Sequence, residues 1–210
     1  MTITGYLDET VYATEVLLNS IWQDHQRIKE LNQQIHAEAL IVEREYQAAQ
    51  WMQTEAEDSD DVMAGVGRHF ENYWGPDKVL HEKKEKSNEL ADLLNTRKYS
   101  IANLSGSLLD IAKKGLSTAY GAPNLWPQNH IVAGLPAATI IRVSRNQSTH
   151  VDEAIRTGTF KNDEIKTVFD ALSNSDPIFA DFLIRDMSFE VVQLLGWTDY
   201  DSYRNGIINI

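Results

Sequence analysis

An all-α fold, a helical bundle with long antiparallel helices and short C-terminal helices, is what three features of this 210-residue chain predict. From Asp8 to about Gln53 there is neither proline nor glycine, and apolar residues recur every seventh position at Ile21, Ile28, Ile35, Val42 and Ala49. A second apolar series, Ile101, Leu104, Leu108, Ile111 and Leu116, has the spacing of a helix face. No Val/Ile-rich run sustains the alternation of a half-buried strand.

The first helix, about 8–53, is longer than globular helices usually are. Its narrow seam, supported by Leu17, Leu31 and Tyr46, suits packing along another long helix or along a second subunit. "TEAEDSDD" (54–61) holds five acids and no base, and "AGVGRHFENYWGP" (64–76) supplies three glycines and a proline, so this stretch connects. Pro76 suits the first position of the next helix, which runs from 77 to about 119 as one helix or as two broken near Asn95-Thr96. Gly121 caps it and Pro123 stops it.

After the irregular "GAPNLWPQNHIVAG", a mostly buried helix is expected from Leu135-Pro136 to about Thr149, followed by a loop, "VDEAIRTGTFKND". Short helices follow at 163–174, at 176–186 with Asp176 as N-cap and Pro177 at its first position, and at 188–196 between Ser188 and Gly196. "GWTDYDSYRNGI" (196–207) reads as a tail docked on the core. The tryptophans at 22, 51, 74, 126 and 197 suit core or interface anchors better than base-stacking platforms. The chain is expected to form a single domain, 1–210.

Composition narrows the function. A net charge of −12 opposes broad adhesion to nucleic acid or anionic membranes, so any RNA contact must be local. The absence of cysteine removes disulfides, thiolate metal sites and cysteine nucleophiles, and fits a reducing, cytoplasmic setting. No basic leader and no span of roughly 18 apolar residues is present, so no membrane partner is expected. There is no glycine-rich phosphate loop, HExxH or GxSxG. None of the six histidines has Glu three residues before it, which argues against a di-iron carboxylate bundle. No metal and no cofactor is expected.

The polar hexapeptide "RNQSTH" (145–150) ends the buried helix. Arg145, Asn146 and His150 are the candidate catalytic residues. A guanidinium holds phosphate oxygens bidentately, an imidazole moves a proton near neutral pH, and an amide orients either the imidazole or the substrate. Asn146 and His150, four apart, share a helix face, whereas Arg145 is turned about 140° from His150, so the three converge only if the helix ends or loosens there. The plainer alternative makes Arg145 a surface charge favoured by the helix dipole and His150 an incidental cap. Lys113, Lys114, Arg142 and Arg156 are the basic residues nearest in sequence, and the candidates for holding substrate.

"RNQSTH" resembles the R-x(4–6)-H signature of the HEPN superfamily (higher eukaryotes and prokaryotes nucleotide-binding domain), in which Asn, Asp or His often follows the Arg directly. The wider segment, "SGSLLDIAKKGLSTAYG" (105–121) and "IIRVSRNQSTHVDEA", is similar to bacterial members tied to defence or toxin–antitoxin loci, and the resemblance covers roughly 95–160. It implies an all-helical, metal-independent endoribonuclease, a toxin or antiviral effector, whose motifs meet in a homodimer as one composite site. His150 would then be the general acid or base, Arg145 the phosphate clamp and Asn146 the orienting group. Attack by a ribose 2′-hydroxyl would leave a 2′,3′-cyclic phosphate and a 5′-hydroxyl. A cognate antitoxin or regulatory protein is a further partner, although Asp152 stands where some family toxins carry a modifiable Tyr. Two alternatives stand beside this one. The first is a non-catalytic HEPN-like module binding a nucleotide or a protein. The second is a helical adaptor dimerising through its long helix, which charges at Ile35 or Val42 would disrupt and His150→Ala would not.

Overall fold

The computed structural model describes residues 1–54 and 76–210, together with most side chains outside 45–54 and 76–84. The acidic and glycine-rich connection expected at 55–75 therefore lies outside the described residues, as do the side chains of Val42, Tyr46, Ala49, Trp51 and Trp74. The fold is all-α. Helix α1 spans Ile3–Thr54, starting five residues before Asp8, and α2 spans Pro76–Tyr120 as one unbroken helix. They are followed by α3 (Ala137–Thr157), α4 (Asp163–Ser175), α5 (Ser188–Leu194) and α6 (Tyr200–Ile208). No helix among the described residues is long and apolar enough to cross a membrane.

Contacts divide the chain into two compact units: Met1–His25 with Tyr99–Ile210, and Gln26–Lys98. In the second unit Leu31 and Leu94 are buried, and Ile28 and Ile35 are half-buried on the predicted seam. In the first, α1 and α2 run antiparallel. The Tyr6 hydroxyl donates to the Ile111 carbonyl at one end, and Ser100 Oγ donates to Asp24 Oδ2 at 2.9 Å at the other. Gly115 lets them approach, since a Cβ there would lie 2.8 Å from the Tyr6 ring. Leu7, Leu18 and Ile21 of α1 and Ile101, Leu108, Leu109, Ala112 and Leu116 of α2 are buried.

Gly121, at φ +80°, takes the left-handed turn that ends α2, and its N–H donates to the Ser117 carbonyl. A 3₁₀ turn follows at Pro123–Leu125. Within the irregular stretch lies a hairpin of β1 (Ile131–Val132) and β2 (Leu135–Pro136). Its turn residues, Ala133 and Gly134, both have positive φ, as a two-residue hairpin turn requires. Alanine at the first of these is an uncommon choice, which hid the turn from pattern reading. The hairpin delivers the His130 carbonyl to the Ala137 N–H, satisfying the first turn of α3 where Pro136 offers no side-chain cap.

Helix α3 departs most from expectation. It does not end near Thr149. It continues two further turns to Thr157 and closes on Gly158, at φ +76°, whose N–H donates to the Ala154 carbonyl. The stretch read as a loop begins as helix because Val151 and Ala154 are buried and extend the stripe of Ile140, Val143, Ser144 and Gln147. Packed on α3 are α4, α5 and the 3₁₀ segment Pro177–Leu183. That segment replaces the expected short helix at 176–186, with Asp176 capping it by accepting from the Ile178 N–H. Ser188 is the first residue of α5 rather than its cap, and Asp186 Oδ1 accepts its N–H. The tail docks as expected. Trp197 and Tyr203 are buried edge to face, with centroids 4.8 Å apart, and Asp199 and Ser202 form a capping box at α6.

Candidate functional site: the two outer faces of helix α3

Because α3 is regular through His150, the hexapeptide is dealt out around the helix. Gln147 points inward and is fully buried. Its Nε2 donates to the Phe182 and Arg185 carbonyls, both at 2.8 Å, and its Oε1 accepts from the Met187 N–H at 3.1 Å. Ser148 Oγ donates to Asp186 Oδ2 at 2.7 Å. A Cβ on Gly106 would lie 2.7 Å from that same Oγ, so α2 passes very close to α3 here. Thr149 returns its hydroxyl to the Arg145 carbonyl. Half of the hexapeptide thus serves structure.

Arg145 leans toward α2, where its Nε donates to Asp110 Oδ1 at 2.8 Å. Asp110 Oδ2 meets Lys114 Nζ at 2.6 Å, one helical turn further along. Burial works against the Asp110 charge, but the hydrogen bonds from Lys114 and Arg145 outweigh it and hold the carboxyl below the usual range. Below the unfolded carboxylate pKa of about 3.9 this contribution fades, and it disappears as pH falls through the lower folded value. Urea midpoints of the native protein and of Asp110→Asn, taken from neutral to about pH 2, are expected to differ at neutrality and converge in acid. A constant gap would remove the ion pair as its cause.

Asn146 and His150 face elsewhere. Both line a cleft of about 350 Å³ between α3 and the start of α4, together with Glu153, Thr159, Lys161 and Asn162. The His150 side chain is 57% exposed, with Nδ1 4.0 Å from Glu153 Oε2. Lys161 Nζ pairs with Glu153, and this contact holds the glutamate carboxyl below its usual range. Asn146 is also reached from α2: Lys113 Nζ donates to its Oδ1 at 3.5 Å, the outer limit of a hydrogen bond.

The predicted site residues therefore fall into three groups. Asn146 and His150 share the cleft, as their four-residue spacing required. Arg145 is held on Asp110, and the convergence that needed a loosened helix does not occur within one chain. Of the basic candidates, Lys113 and Lys114 flank Arg145, and Arg142 is engaged by both carboxylate oxygens of Glu164. Arg156 is exposed in the last turn of α3, about 16 Å beyond Arg145 at 1.5 Å per residue. Sequence reasoning missed Asp110, although its four-residue spacing to Lys114 was the available signal. It also missed Glu153 and Lys161, which fell in the supposed loop.

In an acidic protein this is a concentrated basic patch. Lys113, Lys114, Arg142 and Arg145 gather four positive charges, and the carboxylates paired with them are Asp110 and Glu164. Such a surface attracts anions locally while the whole molecule repels polyanions. Among the described residues no group of three His, Asp or Glu side chains is placed to hold a metal ion. Compared with known proteins, the chain matches no family model, no curated protein and no solved structure.

Proposed function

We propose that the protein is a metal-independent endoribonuclease of HEPN type, a toxin or defence effector that cuts RNA at a composite site formed by two copies of the chain. The observation that carries this is the open cleft in which Asn146 and His150 stand on one face of α3, reached by Lys113 of the basic patch that α2 and α3 share. An exposed imidazole beside an amide is free to exchange a proton with a 2′-hydroxyl or a leaving 5′-oxygen. Arg145 and His150 of one copy diverge, so an Arg–His pair has to be completed across a twofold axis, with Arg145 of one copy serving His150 of the other. Arg145 would neutralise the pentacoordinate phosphate, and Asn146 would orient the attacking ribose.

The test is cleavage of a structured RNA in EDTA. His150→Ala is expected to lower the rate about 10²- to 10⁴-fold, the usual worth of a positioned acid–base group, with Arg145→Ala falling similarly. The products should carry 2′,3′-cyclic phosphate ends. Equal cutting by native and substituted proteins would mean a contaminating nuclease and end the proposal.

One observation favours a second function, a non-catalytic module that binds phosphate. The Arg145 guanidinium already has a carboxylate partner in Asp110, so it is partly neutralised before any substrate arrives. Intact RNA with retained nucleotide binding would select this function.

A further inference from the structure

We infer that Lys113, on α2, is the residue that anchors a phosphate group entering the Asn146–His150 cleft, and that Arg145 of the same chain is not. This rests on the phosphate-binding part of the proposed function and identifies the anchor of that site. Three observations lead to it.

The first is placement. Arg145 and His150 are turned about 140° apart on a regular helix, so Arg145 does not face the cleft that His150 lines. Lys113 comes from a different helix and reaches Asn146, a cleft residue, from the α2 side. The second is engagement. Each neighbouring cation already has a carboxylate: Arg145 and Lys114 share Asp110, Arg142 has Glu164, and Lys161 has Glu153. Among the described residues Lys113 has no ion pair, and its one hydrogen bond, to an amide oxygen, is long. An ammonium with three donors and one weak acceptor keeps most of its binding capacity for a ligand. The third is the field around it. Burial, and then the nearby charge of Arg145, push the Lys113 ammonium below its usual range; Asp110 works the other way, and Arg142 and Lys114 add smaller repulsions. A phosphate arriving there meets an ammonium whose repulsion from Arg145 is only partly offset by Asp110.

The arrangement also gives the Asp110–Arg145 pair a distinct part. It supplies a nearly neutral neighbour that keeps Arg145 in place without competing for the anion at Lys113.

The probe is a fluorescein-labelled deoxytetranucleotide, which carries phosphodiesters but no 2′-hydroxyl and so is bound without being cut. Anisotropy at low salt is expected to show Lys113→Met weakening binding about tenfold, the scale of one charge-assisted hydrogen bond. Lys113→Arg should retain the native affinity to within about threefold. Circular dichroism and a melting curve on each variant establish that it is folded. Probe binding by Lys113→Met within about threefold of native would overturn the inference. Absence of probe binding by the native protein would overturn it together with the phosphate site. RNA cleavage separates the two proposals. Lys113-dependent probe binding with intact RNA leaves this inference standing and ends the ribonuclease, whereas RNA cutting with undiminished probe binding by Lys113→Met does the reverse.

Discussion

Gln147→Leu is expected to destabilise the protein by about 3–5 kcal/mol, seen as a shift of the urea midpoint, although leucine fits the volume and the apolar surroundings. The reason is what it leaves behind. Gln147 is fully buried, and its amide is the partner of two carbonyls, Phe182 and Arg185, and of one N–H, Met187. Each orphaned buried backbone group costs about 1–3 kcal/mol, because water cannot replace the lost partner. Against a typical total of about 5–15 kcal/mol this is a large share. Thr149→Ala, two residues on, loses only a hydroxyl bonded to its own helix at an exposed position, and is expected to stay within about 0.5 kcal/mol. A Gln147→Leu protein with unchanged stability would mean that the 182–187 segment finds other partners.

Trp197→Ala is expected to cost a comparable amount, about 3–5 kcal/mol, by removing a large, fully buried side chain from the first unit's core. The indole is 1% exposed and stands edge to face with Tyr203. Gly206 is shaped around it: a Cβ there would lie 2.7 Å from Nε1. At roughly 2–4 °C per kcal/mol for a chain of this size, the melting temperature should fall by about 10 °C. Trp197→Phe keeps an aromatic edge and should recover about half of that loss. The Trp197 carbonyl also accepts from Trp22 Nε1 at 2.9 Å, and Trp22→Phe would lose this hydrogen bond together with part of the ring packing on His25 and Phe189. A melting temperature for Trp197→Ala within 2 °C of native, at about 2–4 °C per kcal/mol, would show that the cavity collapses at little cost.

Much of the fold was legible because helices announce themselves locally. The absence of proline and glycine and the seven-residue recurrence gave α1, and Gly121 with Pro123 gave the end of α2. The end of α3 was not legible in the same way. "VDEAIRT" is polar enough to read as loop, and only Val151 and Ala154, packed beneath, keep it helical. That single boundary decided the reading of the site. With the helix continuing, the angle between Arg145 and His150 becomes a fixed property, and the hexapeptide splits into inward and outward members. Gln147 was invisible as a structural residue because its partners come from 182–187, some forty residues away, and no local pattern encodes them. The pairing of Arg145 with Asp110 was hidden for the same reason, being a contact across thirty-five positions.

The way the first unit is assembled from separated pieces has a consequence for how the chain reaches its native state. Tyr200 donates its hydroxyl to the Leu7 carbonyl across 193 positions, and Trp22 donates to Trp197 across 175. Helical proteins usually fold quickly because their contacts are local, and closures of this length slow that search. On the ribosome the opening segment of α1 has to wait for residues 197–200 before its partners exist, whereas Gln26–Lys98 is continuous and has its own buried leucines long before then. Folding is therefore expected to proceed from the middle of the chain outward, with the Met1–His25 segment among the last to be covered.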